Sequence, residues 1–326
     1  MATRMPNITT EADGFERLLG PASSRYFGSG FRRTRYEIDT LRIGDPGDAQ
    51  ASAVGRVHYP DDWSIKAGTG SLTPHLSTVD AAILSAKMME TTLAVIGLSA
   101  GQIGEAWVDS MSIRAGARPL ESLAAVPLNT RLSAQTQGDD DVSTTFESRI
   151  GSLAVTARIR HARPSGPARY PSEVDMEGPL SSYYQTTQHQ TRLDDLDVDQ
   201  QTIRCHHAVL PGVGRGHGLE SRFWPAPTLI DCLVLAGQMA QSLIYAIEHV
   251  NRTETSNLWM RRASFEASAP NDRMTRSDAI MRLIDRTSMS RGDRPLSGVT
   301  VEVPNLFGVR VTAALAYFGS SLTSAG

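Results

Sequence analysis

Lysine is almost missing from this chain: of 32 basic side chains in 326 residues only Lys66 and Lys87 are lysine, and the other 30 are arginine. Such a skew reads as the mark of a GC-rich genome rather than of a function. Cysteine is reduced to Cys205 and Cys232, which excludes a disulfide scaffold and fits a reducing compartment. An excess of one charge is missing as well. With 35 acidic side chains and a net charge of −3, nothing in the overall electrostatics calls for nucleic acid. Both long apolar stretches carry an acid and further polar residues, so no membrane span is expected. The start, Met1-Ala2-Thr3-Arg4-Met5-Pro6-Asn7, lacks the apolar region of a signal peptide, and a cytoplasmic protein is expected. What is present, 40 % hydrophobic and 21 % charged residues, suits a globular chain of about two domains.

The most informative feature is an internal repeat much longer than a solenoid period. Residues 73–96 and 224–247 align without gaps at an offset of 151: Pro74 meets Pro225, Asp80 meets Asp231, Leu84 meets Leu235, Met88 meets Met239 and Ile96 meets Ile247. Downstream, Ala106-Trp107-Val108 falls against Leu258-Trp259-Met260, and Val155-Thr156-Ala157 against Val311-Thr312-Ala313. Three matches in the same order indicate a duplicated unit of about 140 residues.

Each unit begins with strand-like alternation, as in Tyr36–Ile43 and Ala53–Tyr59. One long helix follows, expected over 77–97 and again over 228–249. Strands close each unit: 106–115, 124–136 and 142–162, the last a hairpin turning at Gly151, then 257–268, 279–290 and 298–318, with a turn at Pro304-Asn305. Both helices are apolar nearly all round and should be buried. A long buried helix wrapped by antiparallel sheet is the hot-dog arrangement. The expected fold is therefore α+β, a tandem double hot dog. A parallel βαβ fold would need more helices than the pattern provides. The expected organisation is a flexible lead-in over 1–24, a first unit over 25–162, a linker over 163–199 starting with Arg163-Pro164-Ser165-Gly166-Pro167 and continuing as a mobile or wrapping connection, and a second unit over 200–320.

A narrow polar stripe interrupts both helices: Asp80, Lys87 and Glu90 in the first, Asp231, Gln238 and Gln241 in the second, on one side at i, i+7 and i+10. A buried charge is costly unless paired, so the stripe needs a reason. In double hot dogs such a stripe faces a tunnel between the units, where an acid and a histidine work on an acyl thioester. His75, at the entrance of the first helix, suits general acid–base chemistry. His75, Asp80 and Asp231 are thus the catalytic candidates, with Glu90, Gln238, Arg222 and Trp224 as substrate contacts. A second reading competes: Ser77-x-x-Asp80 and Thr228-x-x-Asp231 resemble capping boxes, and Lys87 with Glu90 an ordinary i,i+3 ion pair.

The second unit also carries Cys205-His206-His207, with Cys205 and His207 on one strand face. Cys205 is a candidate nucleophile that His207 can activate, although a packed cysteine is commoner. Cys205, His207 and His217 do not have the spacing of a metal site, and none is expected. The glycine-rich turn 212–218 is not a dinucleotide fingerprint, so no cofactor is expected. Arg32-Arg33-Thr34-Arg35 and Arg261-Arg262 suit either a solvated face or the docking of an acidic carrier protein or a phosphopantetheine phosphate.

Arg25-Tyr26-Phe27-Gly28-Ser29-Gly30-Phe31-Arg32-Arg33-Thr34, His75-Leu76-Ser77-Thr78-Val79-Asp80 and Phe223-Trp224-Pro225-Ala226-Pro227-Thr228-Leu229-Ile230-Asp231 resemble the bacterial avirulence protein D family over about residues 25–320. The resemblance implies an enzyme of syringolide-type elicitor biosynthesis, joining a β-ketoacyl chain to a pentulose such as xylulose, with a logic akin to γ-butyrolactone signal synthesis. It assigns no catalytic residues. Neither HxxxGxxxxP nor DxxxQ/H is intact, because Leu84 and Leu235 stand four residues after the aspartates; this places hot-dog dehydration in doubt. The expected reaction is acyl transfer from a carrier-protein or coenzyme A thioester to a sugar hydroxyl, closing to a lactone. The alternatives are a dehydratase or thioesterase of the same fold, or a non-catalytic acyl-ligand sensor, for which no helix-turn-helix is visible. An unpaired sheet edge would invite a homodimer.

Overall fold

The computed structural model describes residues 14–44, 49–66, 70–210, 212–214, 216–250, 252, 258–271, 274–291 and 294–318. In chain order its regular elements are α1 (Glu16–Leu19), α2 (Phe31–Arg33), β1 (Arg35–Ile43), β2 (Gln50–His58), a small ribbon of β3 (Ile65–Lys66) and β4 (Gly70–Ser71), then α3 (Thr78–Val95), α4 (Ala100–Glu105), β5 (Trp107–Arg114), β6 (Val126–Gln137), β7 (Val142–Ile150) and β8 (Leu153–His161). The second half repeats the plan with β9 (Gln188–Asp197), β10 (Thr202–Leu210), α5 (Leu229–Ile247), β11 (Trp259–Ala267), β12 (Arg276–Arg291), β13 (Arg294–Leu306) and β14 (Val309–Phe318).

Twelve strands form one antiparallel sheet in the order β1-β2-β6-β7-β8-β5-β11-β14-β13-β12-β10-β9. Once the halves are matched strand for strand, the order reads the same from either end. The seam is β5 against β11, where Ser112 pairs with Ser264, the residue 152 positions on, and their hydroxyls lie 3.3 Å apart. The pseudo-twofold axis therefore passes beside these serines. This is a tandem double hot dog.

The two long helices are the cores of the two halves. In α3 every residue is buried except Glu90 and Ala94, and in α5 every residue except Gln241, Ala246 and Ile247. Ser77 and Thr228 begin them from extended backbone, each in a capping box with the aspartate three residues on. At the far end the amides of Gly97 and Leu98 bond to the carbonyls of Ala94 and Leu93, and those of His249 and Val250 to Ala246 and Tyr245. This is the Schellman closure, which puts Gly97 at φ +95° and His249 at +53°. Helix α5 is long and apolar enough to cross a membrane, but its most apolar window is 83 % buried inside the protein.

The N-terminal stretch corrects one expectation. Its first thirteen residues lie outside the described ones, but from Gly14 the chain is folded: the Gly14 amide bonds to the Thr191 carbonyl on the β9 edge, and Phe15 and Leu19 are fully buried. The segment 25–34 then lies against α5, where Gly237 is required, because a Cβ there would stand 2.6 Å from the Phe27 ring. The stretch 163–199 is likewise more ordered than a linker. Its first part lies along the C-terminal half of α3, with Arg169 bonded to the Ala94 and Leu98 carbonyls and Glu177 to Lys87. Its last part is the edge strand β9, the counterpart of β1, whose polar sequence hides it. The last hairpin turns at Phe307-Gly308, both with positive φ, and not at Pro304-Asn305. A bulge between Val303 and Leu306 accommodates the proline, and Asn305 Oδ1 accepts the Gly308 amide at 2.8 Å.

Candidate active site at the seam of the two halves

A cleft of about 750 Å³ opens where the N-terminus of α3 faces the second half, a size suited to a small-molecule ligand. From the first half it is lined by Arg25, Tyr26, Trp63, His75 and Ser77, and from the second by Gln241, Tyr245, Trp259, Met260 and Asp285. His75 is half-buried on this wall, its Nδ1 3.4 Å from the Thr73 carbonyl and its ring edge-on to Trp63 at 6.0 Å. Tyr26, Tyr59 and Trp63 pack around it with ring centroids 4.9–5.6 Å apart. Arg25 is 2 % exposed and donates to Gln238 Oε1 at 2.5 Å, so the second helix holds an arginine of the first half at the cleft.

Asp80 lies one layer behind this wall. It is fully buried and accepts from Tyr36 at 2.8 Å, Tyr26 at 3.2 Å and Tyr59, and from its own cap's Ser77 amide at 2.6 Å. Burial pushes its carboxyl above the ordinary range, and the tyrosine and Ser77 donors only partly offset this. Burial, and then the Asp80 charge, push all three phenols well above their usual value, so they remain neutral donors. Tyr59 also donates to the His75 carbonyl at 3.2 Å. Asp80 therefore holds His75 and Tyr26 in place and does not itself face the cleft.

Asp231, the equivalent residue, is also fully buried but differently partnered. His189 Nε2 lies 2.7 Å from Oδ1, the Thr228 amide and hydroxyl lie 2.8 and 3.0 Å from Oδ2, and Thr187 is 3.4 Å away. Burial raises this carboxyl too, but His189 and Thr228 outweigh it and the net shift is downward. Tyr36 and His189 occupy the same place, the second residue of the first strand in each half. The His189 imidazole, where the first half has a phenol, is the main cause that brings Asp231 down while burial keeps Asp80 up.

The remaining candidates are placed as follows. Glu90 accepts from Lys87 Nζ at 3.0 Å and from the Leu219 amide at 3.0 Å, tying the loop between β10 and α5 to α3; it does not line the cleft. Arg222 is exposed, away from the cleft, with its amide bonded to the Gly104 carbonyl. Trp224 stacks edge-on against Tyr183 at 5.3 Å on the far side of the seam. Cys205 is a fully buried core residue of β10. His207 shares its face, with Nδ1 3.0 Å from Thr191 and a pKa pushed down to about 3 by burial; it is a packing residue. His206 faces outward and pairs with Asp278 at 2.7 Å. Among the described residues no group of three His, Cys, Asp or Glu side chains could hold a metal ion; Arg215 lies outside them. Of the three catalytic candidates the structure brings only His75 to the cleft. Arg25 and Tyr26, which complete the wall, and Tyr59 behind it are not among the sequence candidates; for Arg25 and Tyr26 the signal was in the same Arg25–Thr34 stretch that carries the resemblance.

The profile of the Pseudomonas avirulence D protein (AvrD) family matches residues 11–318. The chain belongs to this family. In this AvrD chain the matched region takes in the folded N-terminal stretch and both wall segments of the cleft. No relative is found among curated protein sequences. Among solved structures, the chain is similar to a tesB protein of Mycobacterium avium subsp. paratuberculosis (15 % identity, TM-score 0.37, covering 86 % of this chain and 95 % of that one). It is also similar to an acyl-CoA thioesterase II of Mycobacterium marinum (11 %, 0.34, 86 % and 96 %) and to a 12:0-ACP thioesterase of Umbellularia californica (9 %, 0.33, 74 % and 91 %).

The AvrD duplication creates a second, pseudo-equivalent location, where the N-terminus of α5 faces β5, but there only about 40 Å³ is open. Glu220, Phe223, Trp224 and Pro227 fill it. Glu220 accepts the Val108 amide at 2.9 Å, and burial pushes its carboxyl up to about 7. A carboxyl raised in the fold stabilises below its unfolded value, near 4.3, and that contribution is lost as pH rises through about 7. Glu220→Gln is therefore expected to match the wild type at pH 5 and to exceed it at pH 8.5 by about 3 kcal/mol. Urea titrations at the two pH values check this; equal midpoints at pH 8.5 would refute it.

Proposed function

We propose that this chain is an acyl-transferring enzyme that joins a β-ketoacyl thioester to a hydroxyl of a small pentulose-like sugar, giving a lactone- or butenolide-type, syringolide-like signalling metabolite. The observation that carries this reading is the roomy cleft at the seam, with His75 on its wall beside the start of α3. Leu76, Leu258 and Met260 provide apolar lining for the acyl chain, and Arg25, Gln241, Tyr245 and Asp285 provide polar lining for a sugar. In this mechanism the His75 imidazole takes the proton of the sugar hydroxyl and the resulting alkoxide attacks the thioester carbonyl carbon. The tetrahedral oxyanion lies near the α3 N-terminus. As the intermediate collapses, the C–S bond breaks and the thiolate leaves with the proton from His75; the ester then closes to the ring when the acidic carbon between its two carbonyls attacks the sugar ketone and the ketone oxygen leaves as water. Acyl transfer is redox-neutral and this reading names no cofactor. It places the enzyme in the cytoplasm, with its thioester donors.

The test mixes purified protein with a β-ketoacyl thioester and follows thiol release with and without xylulose, with mass spectrometry of the products. Thiol release that depends on the sugar, together with a sugar-linked acyl product, is expected. Equal release into water alone would make the protein a thioesterase. An enoyl product without sugar would make it a dehydratase, and binding without turnover an acyl-ligand sensor; any of the three overturns acyl transfer.

A further inference from the structure

One row of side chains crosses the outer face of the first half. Strand register carries it from Arg42 to Ser52, Asn129, Arg149, Ala154, Arg114 and Arg262 on seven successive strands. Its four arginines are all exposed; small or neutral residues separate Arg42, Arg149 and Arg114, and Arg114 and Arg262 are direct neighbours across the seam. Arg42, Arg114 and Arg149 line a groove of about 600 Å³, together with Arg131, which is paired with Glu147 at 2.6 Å. Among the described residues Arg42, Arg114 and Arg149 form no ion pair and no side-chain hydrogen bond, and Arg262 has only Ser112 at 3.3 Å. The chain as a whole is net negative, so this is a local accumulation of positive charge.

The duplication supplies an internal control. Continued past Arg262 onto the second half, the same row reads Ala314, Thr300 and Asp285, with no arginine. Those three residues line the cleft. The arginine row therefore leads into the mouth of the candidate active site from one side only.

We propose that this row is the docking track for an acidic acyl carrier protein, which delivers its thioester into the seam cleft. This rests on the acyl-transfer reading and deepens it by naming the donor. Length decides between the possible donors. Six strand spacings of about 4.8 Å make a track of about 29 Å, the span of a protein helix of about 20 residues. The few phosphates of coenzyme A would meet only part of it. Interleaved aromatic side chains, which a single-stranded nucleic acid would stack on, do not occur in the row.

The test measures binding of phosphopantetheinylated acyl carrier protein to the full chain and to an Arg114→Ser/Arg149→Ser/Arg262→Ser variant, at 50 and 300 mM salt. The wild type is expected to bind, and more weakly at the higher salt. The variant is expected to keep the wild-type melting temperature and to lose at least tenfold in affinity. Arg310→Ser, on the other half and paired with Glu302, should bind like the wild type. Where turnover is measured, the triple variant should raise KM for the carrier-borne acyl thioester at least tenfold and leave that for a short soluble thioester unchanged. Equal binding by wild type and triple variant overturns the docking track. So does an equal KM rise for acyl-coenzyme A, or tighter binding of single-stranded RNA than of carrier protein. Salt-sensitive carrier binding that the triple variant loses, without sugar-dependent thiol release, would support the docking track and reject the acyl-transfer reading.

Discussion

Asp80→Ala is expected to destabilise the fold by about 3 kcal/mol, more than removal of a helix cap. A lost cap alone costs about 1 kcal/mol. Here the carboxylate also accepts from three tyrosine hydroxyls, and a buried donor left without a partner costs about 1–3 kcal/mol. Tyr26 keeps its Ser77 contact at 2.9 Å and Tyr59 its His75 carbonyl at 3.2 Å, so most of the loss falls on Tyr36. Against this, the substitution removes a carboxyl that burial disfavours in its charged form. With total stabilities of about 5–15 kcal/mol, the variant should melt many degrees earlier or fail to accumulate. Asp80→Asn keeps one acceptor oxygen and should cost about half as much. A loss of only about 1 kcal/mol in Asp80→Ala, read from urea midpoints, would reduce Asp80 to a cap.

The two aspartates should also respond to pH with opposite signs. Asp80 has a raised folded pKa, so its contribution is fully present below the unfolded value near 3.9 and is lost as pH rises through the folded value. The deficit of Asp80→Asn should therefore shrink towards neutral pH. Asp231 has a lowered folded pKa, so its contribution is present above the unfolded value and is lost as pH falls through the folded one. The deficit of Asp231→Asn should shrink towards acid. Deficits that change in parallel between pH 3 and 7.5 would contradict the split.

The fold was legible because its signals are strong and local. Two long helices without a polar face, capped by Ser77 and Thr228, can only be cores, and a gapless repeat of them implies a duplicated unit. What stayed hidden has little periodicity of its own. Strand β9 reads Gln-His-Gln-Thr-Arg-Leu-Asp-Asp-Leu-Asp, and an edge strand with one face to solvent need not alternate apolar residues. The folded segment at 14–34 consists of short turns held by contacts to α5 and β9 more than a hundred residues away, which no local pattern reveals.

The site was legible only in outline. The helix stripe did mark buried polar residues, but sequence spacing cannot say whether a buried carboxylate faces a cleft or a ring of phenols. That depends on Tyr26, Tyr36 and Tyr59, which arrive from three separate segments. Glu90 and Lys87 looked like tunnel residues because they share a helix face with Asp80; the connection after residue 163, at Glu177, and the β10–α5 loop, at Leu219, cover that face instead. Duplication also hid an asymmetry, since Glu220 and the aromatic residues after it close the second cleft that symmetry alone would predict.

His75→Ala is expected to lower kcat for sugar-dependent thiol release by about 10²–10⁴-fold, the contribution of a positioned general base, equivalent to about 3–5 kcal/mol of barrier. Stability should change by no more than about 0.5 kcal/mol, because the ring is half-exposed and its hydrogen-bonding neighbour, the Thr73 carbonyl, is 3.4 Å away. That contrast distinguishes His75 from Asp80, whose loss should act mainly on folding. The tautomer that donates Nδ1–H to the Thr73 carbonyl leaves Nε2 as the acceptor for a sugar hydroxyl. His75→Gln retains a polar side chain and removes the base, so it should be as inactive as alanine. Added imidazole should restore part of the rate in the alanine variant if the loss is one of proton transfer. Activity within threefold of wild type in both variants would exclude His75 as the base. It would then leave Tyr26, a wall residue whose hydroxyl donates to Asp80, as the residue to change next.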